Sequence, residues 1–171
     1  MTAETTFILG GARSGKSKFG EGLVLKSGLK PIYVATGRAL DDEMVERVET
    51  HQGRRGDEWT TIEEPLALVD ALRQASHPGR MILVDCLTLW ITNLMMAEAN
   101  AIHECAGLVQ FLQEEASVPI VIVSNETGMG VTPMNKMARE FNDIAGSVHQ
   151  EIASVCDAAY LVTAGLPQRL K

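Results

Sequence analysis

Eight consecutive residues near the start of the chain have the types and spacing that can hold a chain of phosphate groups. In order, they are Gly10, Gly11, Ala12, Arg13, Ser14, Gly15, Lys16 and Ser17. They fit the pattern G-x-x-x-x-G-K-[ST], which binds phosphates where it follows a strand and precedes a helix. The glycines let backbone N–H groups curl around phosphate oxygens, and the helix N-terminus adds a partial positive charge. A glycine-rich turn is the alternative, but the flanking patterns favour nucleotide binding.

Two further features of this region predict a magnesium site. Lys16 is expected to reach the β- and γ-phosphates of a nucleoside triphosphate, while the Ser17 hydroxyl binds Mg²⁺. Asp85 follows the apolar run Met81–Val84, and a carboxylate at the end of such a strand can hold Mg²⁺ or its water. A strand-end aspartate that stands alone is more often a turn or capping residue. With the phosphate loop present, we expect Mg²⁺ to be the cofactor, held by Ser17 and Asp85 directly or through water.

A second cluster surrounds a histidine. Arg47, His51 and Arg55 recur every four positions, and Arg54 is adjacent. Nearby cations disfavour the imidazolium form, so His51 is expected to be neutral, and therefore nucleophilic, near pH 7. The arginines would pair with phosphate oxygens while a nucleotidyl group is transferred. From spacing alone, a solvated basic helix end with an ordinary surface histidine is the favoured interpretation.

Short apolar runs alternate with helical segments along the chain, and these elements must position the residues above. The predicted strands are Thr5–Leu9, Pro31–Ala35, Met81–Val84, Ile120–Val123 and Ala158–Val162. The predicted helices are Ser17–Lys26, Asp41–Gln52, Pro65–Ala75, Ala101–Glu115 and Met134–Val155. Continuous apolar strands separated by helices predict an α/β fold with a mainly parallel central sheet. Since composition does not change along residues 1–171, we expect a single domain.

Composition excludes several classes of protein. The chain has 171 residues, 46% of them hydrophobic, with 15 basic and 22 acidic residues and a net charge of −7. This balance excludes a disordered chain and argues against a broad nucleic-acid surface. Cys86, Cys105 and Cys156 have no metal-site spacing and are expected to be free thiols. The longest apolar segment, Val118–Val123, is too short to span a membrane, and no secretory signal is visible, so a cytoplasmic location is expected.

Taken together, the motifs and their order resemble one family over nearly the whole chain, from Phe7 to Lys171. The motifs are GGARSGKS at Gly10–Ser17, YVATG at Tyr33–Gly37, the His51 region ending at Trp59, DCLTLWITNL at Asp85–Leu94, SNETGMGVTP at Ser124–Pro133 and AGLPQRLK at Ala164–Lys171. The chain resembles the bifunctional adenosylcobinamide kinase / adenosylcobinamide-phosphate guanylyltransferase family of cobalamin synthesis.

The resemblance implies two reactions, a site and an assembly. ATP or GTP would phosphorylate the aminopropanol hydroxyl of adenosylcobinamide, and GTP would then transfer GMP to that phosphate through a guanylylated His51. Lys16 and His51 would be the catalytic residues. Beyond the phosphate loop, the implied nucleotide contacts are Ala35, Thr36, Gly37, Gln52, Gly53, Arg54, Arg55, Glu63 and Asp85. The implied fold is a phosphate-loop domain of RecA-like connectivity, assembled as a homotrimer.

The chain departs from the family pattern at several positions, and two other functions remain open. Gln52 stands where the family often has arginine, Gly56 where it often has proline, and Asn142 and His149 where arginine and asparagine are expected. A missing cation beside His51 could alter guanylyl transfer. The alternatives are a small-molecule kinase without a histidine intermediate and a nucleotide-gated switch. The segment Ser124–Pro133 is predicted to be a loop facing the substrate, with a purely structural turn as its alternative.

Overall fold

Seven strands of the computed structural model form one sheet, and the structure describes residues 3–37 and 56–171. The strands are β1 (Thr5–Gly10), β2 (Lys30–Ala35), β3 (Thr60–Glu63), β4 (Arg80–Asp85), β5 (Ile120–Asn125), β6 (Ala158–Thr163) and β7 (Leu166–Arg169). Their order across the sheet is β3-β2-β4-β5-β1-β6-β7. Neighbouring strands are parallel except for the β6–β7 pair, which is antiparallel. The prediction of a mainly parallel α/β sheet is confirmed.

Five described helices cover the two faces of this sheet. They are α1 (Lys16–Lys26), α2 (Leu68–Ala75), α3 (Leu87–Met96), α4 (Ala101–Glu114) and α5 (Lys136–Val155). Because side chains alternate along a strand, Phe7 packs with helices α2 to α5, whereas Ile8 packs with Val24 of α1 on the other face. Burial on both faces explains why the central strands are almost continuously apolar.

The predicted strands and helices agree with the structure to within a few residues at most boundaries. Helix α2 begins at Leu68 rather than Pro65, because the Glu64 carboxylate accepts hydrogen bonds from the N–H groups of Leu66 and Ala67 and fixes a turn there. The amide oxygen of Asn135 caps α5, which therefore begins at Lys136. The predicted helix Asp41–Gln52 lies outside the described residues.

Three elements were not predicted, and each lacks a clear sequence pattern. Strand β3 is mostly exposed at the edge of the sheet, and its sequence TTIE contains one large apolar residue. Strand β7 has the sequence LPQR and is exposed throughout. Helix α3 is apolar on most sides, with five of its ten residues buried, and so shows no amphipathic period. None of the described helices is long and apolar enough to cross a membrane.

Candidate functional site

The predicted phosphate loop connects β1 to α1, as its sequence requires. Gly15, with φ of +97°, occupies the position just before α1, where a side chain would be strained. A Cβ atom at Gly10 would overlap the Ser14 side chain and lie 2.7 Å from the carbonyl oxygen of Val162. Glycine is therefore required at both ends of the turn. The first N–H groups of α1 face the loop and have no intrahelical partners, which is the usual way in which a helix N-terminus binds phosphate.

Two side chains inside the loop fit an anionic ligand. The Ser14 hydroxyl is buried and has no hydrogen-bond partner among the described residues, so it is free to donate to a phosphate oxygen. The Lys16 side chain is 8% exposed, and its Nζ donates to the Gly11 carbonyl at 3.0 Å. This bond curls the ammonium group back over the loop. A cation and a hydroxyl donor thus lie at the place where the sequence predicts the triphosphate.

Burial lowers the pKa of Lys16, and negative charge on Cys86 and Asp85 would oppose that shift. Burial also raises the pKa of the Cys86 thiol to about 11, and the neighbouring Asp85 charge adds to this effect. Cys86 is therefore a neutral thiol near pH 7. Asp85 is near enough to Lys16 for its charge to act on the Lys16 ammonium, and a magnesium site at Ser17 and Asp85 stays a prediction.

The donor set at this edge of the sheet fits Mg²⁺. The Ser17 hydroxyl and the Asp85 carboxylate are oxygen donors, and both side chains are partly exposed. The described residues contain no group of three or more histidine, cysteine, aspartate or glutamate side chains that could hold a metal by themselves. Mg²⁺ is usually bound by a few protein oxygens, and water and phosphate oxygens complete its coordination.

Three predicted nucleotide contacts lie in one row across the carboxyl ends of the strands. Ala35 pairs with Glu63 on one side and with Asp85 on the other, and Asp85 in turn pairs with Val123. Strands are spaced by about 4.8 Å, so Glu63 and Asp85 are about 10 Å apart across the sheet. The parallel sheet therefore makes neighbours of Ala35 and Asp85, which are 50 positions apart in the chain.

Thr36 and Asn93 hold the ends of β2 and β4 together. The Thr36 hydroxyl donates to the Cys86 carbonyl at 2.7 Å and accepts from the Cys86 N–H at 2.9 Å. Asn93 donates from Nδ2 to the carbonyls of Thr36 and Pro65, at 2.7 and 3.1 Å. The Thr36 side chain is fully buried, and its hydroxyl, N–H and carbonyl all have protein partners. We call these four residues the Thr36 clamp. A nucleotide contact by Thr36 stays a prediction.

A buried polar chain, also missed from the sequence, lies behind the end of β5. His149 of α5 has its Nε2 2.8 Å from the Ser124 hydroxyl, and its ring packs against Phe7. The Ser124 hydroxyl lies 3.4 Å from that of Thr88, which accepts the Asn125 N–H at 2.8 Å. Burial lowers the pKa of His149, and the Glu126 charge opposes that shift. The neutral imidazole therefore stabilises the strand end beside the phosphate loop.

The segment after β5 runs next to the phosphate loop and exposes apolar side chains. The Glu126 N–H donates to the Gly10 carbonyl at 3.0 Å, which joins this segment to the end of β1. Beyond it, Met129, Val131 and Met134 are between 78% and 98% exposed. Exposed apolar groups at such density commonly mark a binding surface. The predicted loop is present, and its contact with substrate stays a prediction.

The histidine cluster lies outside the described residues. His51, Gln52, Gly53, Arg54 and Arg55 belong to the connection that leaves β2 after Gly37 and returns before β3. Where the described chain resumes, the Trp59 ring contacts Tyr33 of β2 edge-on. The catalytic role of His51 and the nucleotide contacts at residues 52–55 stay predictions.

Solved structures share this fold at low sequence identity. The match to PH0250 from Pyrococcus horikoshii covers 100% of this chain and 88% of PH0250, with a TM-score of 0.57 and 12% sequence identity. The RadB recombinase covers 92% of this chain and 73% of its own, with a TM-score of 0.51 and 18% identity. FlaH from Methanocaldococcus jannaschii gives a TM-score of 0.52 at 14% identity, over 98% of this chain and 78% of its own. These neighbours agree with the predicted phosphate-loop fold.

Sequence relatives are much closer. The chain is 46% identical to the bifunctional adenosylcobalamin biosynthesis protein CobP of Pseudomonas aeruginosa, over 96% of this chain and 95% of the relative. It is 35% identical to the bifunctional adenosylcobalamin biosynthesis protein CobU of Escherichia coli, over 96% of this chain and 98% of that relative. The model of a family described as cobinamide kinase / cobinamide phosphate guanyltransferase matches residues 6–170. The chain therefore belongs to the cobinamide kinase / cobinamide phosphate guanyltransferase family.

Proposed function

We propose that this enzyme phosphorylates the aminopropanol hydroxyl of adenosylcobinamide and then transfers GMP from GTP to the new phosphate, which releases pyrophosphate and gives adenosylcobinamide-GDP. The family and the names of its relatives support this pair of reactions. The observation that carries the proposal is the buried Lys16 ammonium, curled over the phosphate loop and within electrostatic range of Asp85. One cationic loop can hold a triphosphate for either reaction.

In the kinase reaction, the substrate hydroxyl attacks the γ-phosphorus of ATP or GTP and releases its proton to solvent. The bond from the γ-phosphorus to the β–γ bridging oxygen breaks, and the nucleoside diphosphate leaves. Lys16 and the N–H groups at the start of α1 neutralise the charge that develops on the phosphate oxygens. The Ser14 hydroxyl supplies one further donor. Ser17 and Asp85 are the residues that would hold Mg²⁺, which, when bound, neutralises charge on the β- and γ-phosphates.

In the guanylyl reaction, a neutral His51 attacks the α-phosphorus of GTP, the α–β phosphoanhydride bond breaks, and pyrophosphate leaves toward the phosphate loop. The phosphate of adenosylcobinamide phosphate then attacks the guanylylated histidine, forms the new phosphoanhydride bond and frees the imidazole. Arg54 and Arg55 would stabilise the charge on the transferred group. The support for this route is the spacing of the cluster and the family membership.

The exposed loop after β5 is our candidate for the surface that contacts the corrinoid substrate. Its support is the bond from Glu126 to Gly10 beside the phosphate site, together with exposed Met129 and Val131. The resemblance to the family also supports a homotrimer, which sedimentation velocity would test.

Labelling with GTP that carries radioactive phosphorus at the α-position tests the guanylyl-histidine route. We expect acid-labile, alkali-stable label on the wild-type protein and none on His51→Ala. The control is His77→Ala, because His77 is exposed and lies just before β4, at the amino ends of the strands, whereas the phosphate loop is at their carboxyl ends. Full labelling of His51→Ala would refute the assignment of His51 as the nucleophile. Absence of label from the wild type, with phosphorylation of adenosylcobinamide retained, would favour the monofunctional kinase.

A further inference from the structure

A loop formed by residues 127–134 follows β5 and is tied at both ends to side chains of α5. At its start, the Thr127 hydroxyl donates to Asn142 Oδ1 at 2.9 Å. At its end, Arg139 Nη1 donates to the carbonyls of the last two loop residues, at 3.0 and 2.7 Å. We call this segment the β5–α5 loop. The side chains of one helix thus determine where both ends of the loop lie.

Both ties come from the same face of α5 and hold the β5–α5 loop next to the phosphate loop. Arg139 and Asn142 are three positions apart, so they share a helix face, and their Cα atoms differ in rise by about 4.5 Å. The loop ends are therefore close together, as in the compact surface loops that often carry function. The Glu126 N–H bond to the Gly10 carbonyl joins the residue before the β5–α5 loop to the phosphate loop. The β5–α5 loop therefore has a fixed shape and a fixed place beside the phosphate site.

The chemistry of the β5–α5 loop suits a large organic molecule rather than a phosphate chain. None of residues 127–134 has a charged side chain, so the loop offers no cation to a nucleotide. Its side chains Met129, Val131 and Met134 are exposed, as is Met137 in the first turn of α5. Methionine side chains are flexible and polarisable, and they adapt to the shape of a ligand. The corrin macrocycle of adenosylcobinamide, whose broad faces are apolar, is a ligand of this kind.

The position of the β5–α5 loop suits the acceptor of the kinase reaction. The acceptor hydroxyl has to lie about 3–3.5 Å from the γ-phosphorus before transfer. The bulk of the acceptor must then rest on a surface that borders the phosphate loop. Asn125, the last residue of β5, pairs with Gly10, the first residue of the phosphate loop, so the β5–α5 loop is such a surface.

We propose that Arg139 and Asn142 are positioning residues of the kinase reaction, because they hold the β5–α5 loop in the shape that binds the macrocycle of adenosylcobinamide. The bound macrocycle then directs its aminopropanol hydroxyl to the γ-phosphate. This inference rests on the proposed function, which supplies the identity of the acceptor. A loop released from α5 would have to be ordered when the acceptor binds, and this cost weakens acceptor binding without changing the nucleotide contacts.

Arg139→Met is the main variant, because it removes both bonds to the end of the loop and keeps an unbranched side chain. Arg139→Lys restores one donor and should rescue part of the loss. Lys136→Met is the matched control, since it removes a cation from the first turn of α5 whose described ion pair is with Glu140, at 3.4 Å, and not with the loop. Thr127→Val removes the tie at the start of the loop. All three substituted positions are exposed, and thermal unfolding verifies that each variant folds.

Three measurements on the whole enzyme test the proposal: the KM for adenosylcobinamide at saturating ATP, and the Kd values for adenosylcobinamide and for ATP by calorimetry. For Arg139→Met we expect the KM and Kd for adenosylcobinamide to rise by about tenfold or more, while the Kd for ATP changes by less than about twofold. Thr127→Val loses a single bond and should raise the same two values by about threefold. Arg139→Lys should lie between the wild type and Arg139→Met, and Lys136→Met should leave all three values unchanged.

The possible results are distinguishable. If a folded Arg139→Met keeps the wild-type KM and Kd for adenosylcobinamide, Arg139 does not position the acceptor. If its Kd for ATP rises by the same factor, Arg139 acts on the phosphate site, and the proposal is wrong. An equal effect of Lys136→Met would show that charge on α5, and not the bonds to the loop, is responsible. A wild-type enzyme that binds ATP but does not phosphorylate adenosylcobinamide would contradict the proposed function instead, and calorimetry with adenosylcobinamide would still test the loop.

Discussion

The hydroxyl of Thr36 is the side-chain group that joins β2 to β4 in the Thr36 clamp, and its removal should destabilise the fold measurably. In Thr36→Val the side chain keeps its shape but loses its bonds to the N–H and carbonyl of Cys86. The carbonyl keeps a second partner, the Trp90 N–H at 3.3 Å, so the Cys86 N–H is the group left without one. Because an orphaned buried donor costs about 1–3 kcal/mol, we expect the free energy of unfolding to fall by that amount.

Urea unfolding at neutral pH measures this loss, and one further pair of variants and one surface control isolate its cause. Thr36→Ala and Thr36→Ser both lack the methyl group and differ only by the hydroxyl. The alanine variant should therefore be less stable than the serine variant by about 1–3 kcal/mol. Thr61→Val is the surface control, since Thr61 is exposed on β3 and its replacement should change stability by less than about 0.5 kcal/mol. If Thr36→Val unfolds at the wild-type urea concentration, the clamp does not contribute to stability.

Two further predictions concern charged or titratable groups that the fold buries. Lys16→Met should lower kcat/KM for both reactions by about 10²–10³-fold, because it removes the cation that neutralises charge on the phosphates. Its free energy of unfolding should stay within about 1 kcal/mol of the wild-type value, because the loss of the Nζ bond to Gly11 is offset by relief of the desolvation of the ammonium group. Lys30→Met, at the exposed start of β2, should change neither quantity, and equal activity of the two variants would contradict the triphosphate placement. His149 has a lowered pKa in the folded state, so as pH falls the unfolded chain takes up a proton at this histidine before the folded chain does. The free energy of unfolding should therefore decrease as pH falls below about 6.5. Urea midpoints at pH 7.5 and 5.5 should differ less in His149→Gln, whose side chain does not titrate, than in the wild type. Identical differences in the two proteins would show that His149 contributes nothing to the pH dependence of stability.

The phosphate loop could be predicted because its chemistry is local. Eight consecutive residues specify the turn, the charge and the start of α1, and no distant contact is needed to recognise them. The parallel sheet could also be predicted, because burial on both faces leaves a continuous apolar run in each central strand. Asp85 followed from both, as the acid at the end of such a strand.

The Thr36 clamp and the His149 chain could not be predicted, because they depend on which strands are neighbours. Thr36 and Cys86 are 50 positions apart, and Ser124 and His149 are 25 apart. Their contacts follow from the strand order, which the hydrophobic pattern does not encode. Each buried polar residue, taken alone in the sequence, looks like an ordinary threonine or a histidine on an apolar helix face.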